Sequence, residues 1–230
     1  MKRCLRLFFY GFWCFGRYSG DMQGYFITGT DTDAGKTVAA AWAMLHLDAD
    51  YWKPTQSGLE PPTDKEIVQA ITRFDDTRFH QETYCLTQPL SPHEAARRDG
   101  IEIEMEAFAL PQTSRSLIVE GAGGLMVPLN KDFLVIDLIK KLALPAILVC
   151  RSGLGTINHT LLSLEALHTR QIPVAGLIIS GPKTMHNRKA LEEYGKVPVI
   201  AEIDFMEDIN KKSLLSIKPE MDLTDIRSAA

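Results

Sequence analysis

The stretch Gly29-Thr30-Asp31-Thr32-Asp33-Ala34-Gly35-Lys36-Thr37 constrains the fold of this chain more than any other. It follows a short apolar run, Tyr25-Phe26-Ile27, and precedes a small-residue segment, Val38 to Leu47, that has helical character. Strand, glycine-bounded loop, Lys-Thr and helix, in that order, lay out a phosphate-binding loop. Free N–H groups of the loop and of the helix's first turn point at phosphate oxygens. Gly35 lets the backbone approach the ligand, Lys36 supplies positive charge, and Thr37 offers a hydroxyl to Mg²⁺. Gly29 and Gly35 enclose five residues, one more than the common loop. A glycine turn with a solvated lysine is the competing reading, but it leaves the flanking strand and helix unexplained.

Similar segments alternate along the chain. Asp50-Tyr51-Trp52-Lys53 reads as a second strand stopping at Pro54, with Lys53 at the edge where open α/β sheets place ligands. Lys65 to Arg73 is expected as a helix after a Pro-rich loop from Glu60 to Asp64, with Asp64 placed as its N-cap. Phe74 to Gln88 is polar and irregular, and Ser91-Pro92 opens a turn or helix on which His93 reads as structural. Ser116 to Val119 is expected as a four-residue buried strand running into Glu120-Gly121-Ala122-Gly123-Gly124. An acid beside such a loop suits Mg²⁺, or else caps the next turn. Ala146 to Cys150, Val174 to Ile179 and Val197 to Ile200 are further strands. Thr156 to Arg170 is a helix with a packing stripe of Ile157, Leu161, Leu164 and Leu167, and His186 to Tyr194 is another. Past Met206 the pattern weakens, as in a frayed end. Strands apolar on both faces, alternating with helices, indicate an α/β fold with a doubly wound, mainly parallel sheet.

Composition narrows the function classes. With 230 residues, 45% of them hydrophobic, the chain is long enough to bury a substantial core as one domain, expected over residues 22–230. A net charge of −4 gives no electrostatic reason to expect nucleic acid. No apolar run reaches bilayer length, and Cys4, Cys14, Cys85 and Cys150 form no paired or metal-binding spacing, so a reduced cytoplasmic protein is expected. The basic, aromatic segment 1–21 does not match the rest. A signal peptide or a membrane-surface anchor is one account of it, and a non-native or disordered extension ahead of Met22 is the favoured one.

Four stretches then agree in order with one family. The loop at Gly29–Thr37, Tyr51-Trp52-Lys53-Pro54-Thr55-Gln56-Ser57-Gly58, Val119-Glu120-Gly121-Ala122-Gly123-Gly124 and Gly155-Thr156-Ile157-Asn158-His159 together resemble dethiobiotin synthetase. The resemblance implies MgATP-dependent joining of CO₂ to 7,8-diaminononanoate through a carbamate and its phosphorylated form. It implies Lys53 and Lys36 as catalytic cations and Thr37, Asp64 and Glu120 as Mg²⁺ ligands. Nucleotide contacts are implied at Asp33, Ala34, Gly35, Lys36, Thr37 and Val38, at Asp64, at Glu120, Gly121, Ala122 and Gly123, and at Ser180, Gly181, Ile203, Asp204 and Phe205. Substrate contacts are implied at Thr32, Lys53 and Ser57, and at Gly155, Thr156, Ile157 and Asn158, the last four belonging to a helix start across a homodimer interface. Many relatives carry Asn where Ser180 stands, and Ala201-Glu202-Ile203-Asp204-Phe205 replaces a usual Gly-Glu-Ile-Pro, so relaxed base selectivity is expected. The rivals are a partitioning-type ATPase switch, disfavoured because Thr30-Asp31-Thr32 lacks an early lysine, and an amidoligase acting on another carboxylate.

Overall fold

The structure is a computed structural model and describes residues 24–223; the expected extension at residues 1–21 lies outside the described residues. Its main sheet has six strands in the order β2-β5-β1-β6-β7-β8. They are β1 (Gly24–Gly29), β2 (Asp50–Trp52), β5 (Leu117–Gly124), β6 (Ala146–Arg151), β7 (Val174–Ser180) and β8 (Val199–Ile203). Every pairing in it is parallel. Two short strands, β3 (Thr55–Ser57) and β4 (Tyr84–Leu86), pair separately, so the stretch read as irregular from Phe74 to Gln88 contains a strand.

Alternation along the strands separates two buried faces. Tyr25, Ile27, Ile118, Ile147, Val149 and Ile178 meet α1 (Lys36–Leu47), α2 (Asp64–Thr72) and α7 (Lys211–Ser216). Phe26, Leu117, Val119, Leu148, Leu177 and Ile179 meet α3 (Pro92–Asp99), α4 (Val135–Leu142), α5 (Thr156–Thr169) and α6 (Met185–Gly195). The doubly wound sheet expected from the sequence is therefore present. On α5, Leu164 and Leu167 are buried and Ile157 and Leu161 partly so, as the stripe implied. Among the described residues no helix is long and apolar enough to cross a membrane.

Three local expectations are corrected. The N-cap of α2 is Thr63, not Asp64; Thr63 and Glu66 form a reciprocal capping box. Asp64 is thus the first helical residue, and its carboxylate is free to turn away from the cap. β5 does not stop at Val119 but runs eight residues, through Gly124. Glycine permits this, because a Cβ on Gly121 would lie 2.7 Å from the Phe26 ring. Past Met206, where a frayed end was expected, the residues up to 223 are packed, and the last seven lie outside the described residues. Leu214 and Leu223 are buried, Trp42 Nε1 donates to Ile217 O at 2.7 Å, and the Tyr25 hydroxyl donates to Leu223 O at 2.6 Å. Arg188, paired with Glu202 and Glu220, ties the same segment to β8.

Asp50, at the start of β2, joins distant loops. Its carboxylate accepts from Arg78 Nε and the Thr113 hydroxyl, both at 2.6 Å, and lies 3.3 Å from His80 Nε2. Burial alone would raise its pKa, but these hydrogen bonds and the Arg78 charge hold it below the ordinary 3.8. A depressed carboxylate contributes stability that is full above the unfolded value and is lost as pH falls through the lower folded value. Asp50→Asn is therefore expected to lower stability at pH 7 by about 1–3 kcal/mol, because the Arg78 guanidinium loses the negative charge that faces it. The gap from wild type should narrow below pH 3.8, as urea unfolding across pH would measure; a gap constant with pH would contradict the assignment.

Candidate active site

β1 lies centrally, with β5 on one side and β6 on the other; the connection leaving β1 runs to β2 on the β5 side, whereas the one leaving β6 runs to β7 on the other. That switch point is where an open α/β sheet leaves a crevice, and the loop Thr30–Gly35 lies in it. Gly35 caps α1 with φ +92°, a conformation that glycine adopts without strain. Lys36 arches back over the loop, and its Nζ donates to Asp31 O at 2.9 Å and to Thr32 O at 2.7 Å.

Four side chains from four parts of the chain meet beside it. Thr37 Oγ1 lies 2.8 Å from Asp64 Oδ1 and 3.0 Å from Glu120 Oε1. Lys53 Nζ lies 2.7 Å from Asp64 Oδ2 and 3.1 Å from Glu120 Oε1. Both the Lys53 and Glu120 side chains are almost fully buried. Lys36 and Lys53 share this site, since each ammonium feels the charges of Glu120 and Asp64. Their pKa values nevertheless move in opposite directions. At Lys36, burial is the largest influence and lowers the value, against the pull of Glu120. At Lys53, burial also lowers it, but Glu120 and Asp64 together, with their hydrogen bonds, prevail and raise it. Asp64 responds in kind: burial would raise its pKa, but the Lys53 charge and the bonds from Lys53 and Thr37 hold it down.

The donor set suits a hard divalent ion. Adjacent oxygens around an octahedral Mg²⁺ at about 2.0–2.1 Å lie about 2.9 Å apart, and the two Thr37 separations, 2.8 and 3.0 Å, match that edge. Among the described residues no group of three or more His, Cys, Asp or Glu could hold a metal. Two carboxylates and a hydroxyl leave the remaining positions to phosphate oxygens and water, the usual arrangement for Mg²⁺.

The remaining residues named from the sequence fall into three groups. Ser180 ends β7 beside the loop, where a Cβ on Gly35 would lie 2.6 Å from its Oγ. Gly181 N donates to Ile203 O at 2.8 Å, and Phe205 lies 3.6 Å from where a Gly181 Cβ would stand, so Ser180, Gly181, Ile203 and Phe205 are brought together, with Asp204 exposed between the last two. Ser57 Oγ is buried without a hydrogen-bond partner among the described residues, as are Thr55 Oγ1, Gln56 Oε1 and Thr28 Oγ1. Gly155 and Asn158 are exposed and Thr156 is buried at the start of α5.

Beside the loop a cavity of about 410 Å³ is lined by Thr32, Met126, Val127, His159 and Leu162, among others. Of these only Thr32 was named as a site residue from the sequence, although His159 closes the quoted stretch Gly155–His159; single residues brought together from separate elements carry no local signal. Tyr51 was also missed as a site residue, although its hydroxyl donates to Glu120 Oε2 at 2.8 Å. His93 is exposed on α3, and Glu94 there pairs with Arg97 and Arg98.

Comparison with known proteins adds to this geometry. A family described as an AAA domain matches residues 23–213. The chain is similar to the ATP-dependent dethiobiotin synthetase BioD of Paramagnetospirillum magneticum, 48% identical over 198 residues, which cover 86% of this chain and 96% of that protein. It is also similar to the enzyme of the same name from Lawsonia intracellularis, 43% identical, with 88% and 98% covered. A ParA family ATPase from Chlorobium tepidum aligns with a TM-score of 0.53 at 13% identity, covering 90% of this chain and 94% of that one, which speaks to the fold alone.

Proposed function

The chain belongs to the dethiobiotin synthetase family, and from that premise we propose how its own residues perform the reaction. It is an ATP-dependent ligase of biotin biosynthesis, carboxylating 7,8-diaminononanoate with CO₂ and closing the ring to dethiobiotin. An amine of the substrate takes up CO₂ as a carbamate. A carbamate oxygen attacks the γ-phosphorus of ATP and releases ADP. The second amine then attacks the carbamate carbon and expels phosphate. Negative charge accumulates beside an already anionic triphosphate, so fixed cations and donors matter more than a covalent nucleophile.

Each role follows from position. Lys36 neutralises charge on the transferred phosphoryl group. Lys53, buried and held charged by two carboxylates, stabilises the carbamate and its phosphorylated form. Thr37, Asp64 and Glu120 would hold Mg²⁺, which when bound screens the phosphate charge. Asp33, Ala34, Gly35, Val38, Gly121, Ala122 and Gly123 line the phosphate end, and Ser180, Gly181, Ile203, Asp204 and Phe205 the base end. Thr32 and Ser57 contact the diamine; an unpartnered buried hydroxyl costs about 1–3 kcal/mol, which a ligand donor at Ser57 would relieve. The observation that carries the whole reading is the meeting of Thr37, Lys53, Asp64 and Glu120 within 3.1 Å contacts beside the phosphate loop. Incubation with the diamine, bicarbonate and MgATP should yield dethiobiotin and ADP; ATP hydrolysis with no dethiobiotin would favour the switch or amidoligase rivals.

We place the chain in a cytoplasmic homodimer, folded as one domain over residues 22–230. Gly155, Thr156, Ile157 and Asn158 would offer the start of α5 to the substrate carboxylate in the neighbouring protomer's site, since free helix N–H groups favour an anion. Exposed Leu154 and Leu162 on and before that helix supply apolar surface for such contact. Base discrimination should be relaxed, because a Ser180 hydroxyl cannot make a paired amide contact. Turnover with ATP, GTP and CTP should be comparable; a preference for ATP of about 10⁴ or more, as a hydrogen-bonding base pocket gives, would overturn this.

A further inference from the structure

Tyr51 is the largest side chain that touches the acidic cluster, and the reaction as described gives it no part. It lies on β2 opposite Ile118 of β5, so it shares a sheet face with Glu120, two residues further on. Its side chain is wholly buried, and its ring packs against Phe79 at 5.9 Å between centroids. His80 N donates to Tyr51 O at 2.8 Å, fixing the backbone as well. The hydroxyl donates to Glu120 Oε2 at 2.8 Å, while Thr37 Oγ1 and Lys53 Nζ both address Glu120 Oε1. The two oxygens of this carboxylate are thus divided between a rigid donor on one side and the reaction site on the other.

We propose that Tyr51 is a positioning residue that pins Glu120 Oε2, so that Oε1 alone is presented to a divalent cation and to Lys53. This rests on the reading that Thr37, Asp64 and Glu120 hold the cation. An ion that demands near-ideal octahedral geometry tolerates a rotating or bidentate carboxylate poorly, and the partner that fixes a ligand's orientation tunes affinity through it. Tyrosine suits such a role because its large ring is anchored against Phe79 and its phenol reaches Glu120 Oε2 at 2.8 Å.

The test measures the cation directly. Mn²⁺, which accepts the same oxygen ligands, is titrated by electron paramagnetic resonance into the full-length protein with a non-hydrolysable ATP analogue. Tyr51→Phe is expected to raise the Mn²⁺ Kd roughly tenfold or more, with analogue affinity in EDTA unchanged. Phe79→Leu loosens the same packing but keeps the hydroxyl, and should leave the Mn²⁺ Kd unchanged. Glu120→Gln should weaken Mn²⁺ at least as much as Tyr51→Phe. Wild-type Mn²⁺ affinity in Tyr51→Phe with weakened affinity in Glu120→Gln would overturn the positioning role alone. Equal losses in Tyr51→Phe and Phe79→Leu would overturn it too, as a packing effect. Unchanged affinity in both Tyr51→Phe and Glu120→Gln would overturn the cation site as well.

Discussion

Lys53→Ala is expected to lower kcat by about 10²–10³ or more, the loss that follows removal of one preorganised charge from a transition state. MgATP should still bind, because the loop amides and Lys36 remain. The ammonium that is lost stands 2.7 Å from Asp64 and 3.1 Å from Glu120, within a side chain 5% exposed. Glu120 would then lose its buried ammonium partner, and breaking such a buried pair costs about 3–5 kcal/mol. The variant should therefore melt lower without Mg²⁺ and recover part of the loss when Mg²⁺ and nucleotide are added. Because its pKa lies above the ordinary 10.5, Lys53 keeps its charge throughout the neutral range. Its contribution to stability is full below 10.5 and declines only as pH rises through the higher folded value. Single-turnover kinetics with separate nucleotide titration check both halves. Near-normal kcat would remove Lys53 from the mechanism, whereas lost ATP binding would make it a nucleotide anchor.

Gly35→Ala should do the reverse, leaving the fold and raising the MgATP KM by roughly 100-fold, or nearly 3 kcal/mol. The φ of +92° at Gly35 is strained for any residue with a Cβ. The new methyl would also lie 2.6 Å from Ser180 Oγ. Both effects fall where the backbone must approach a phosphate. Adding Ser180→Gly to Gly35→Ala removes the collision and keeps the strain, so the double variant should recover affinity only in part. A KM within about threefold of wild type would mean that the loop does not hold the triphosphate through this glycine.

Most of the scaffold was legible in the sequence because it is encoded locally. Apolar runs such as Tyr25-Phe26-Ile27 and Ala146 to Cys150 are strands buried on both faces in the structure. Glycine, lysine and threonine at fixed offsets mark the loop. The capping box at Thr63 and Glu66 was written in the sequence too, though Asp64 looked like the cap; the reciprocal bonds to Thr63 release Asp64 for the site. The buried tail was not legible, since its contacts span 175 and 198 residues, from Trp42 and Tyr25. Nothing periodic in residues 206–223 announces a partner that far away.

By itself, then, the sequence determined an α/β chain with a phosphate loop, and supplied Lys53, Asp64 and Glu120 as charged groups in segments expected to end near it. Only the tertiary structure decided which atoms face one another: that Glu120 offers one oxygen to Thr37 and Lys53 and the other to Tyr51. The physical reason is register. Hydrophobic pattern fixes which face of a strand is buried, but the pairing of β2 with β5 sets whose side chain lies beside whose. That pairing is sealed by contacts remote in the chain, which no local pattern carries.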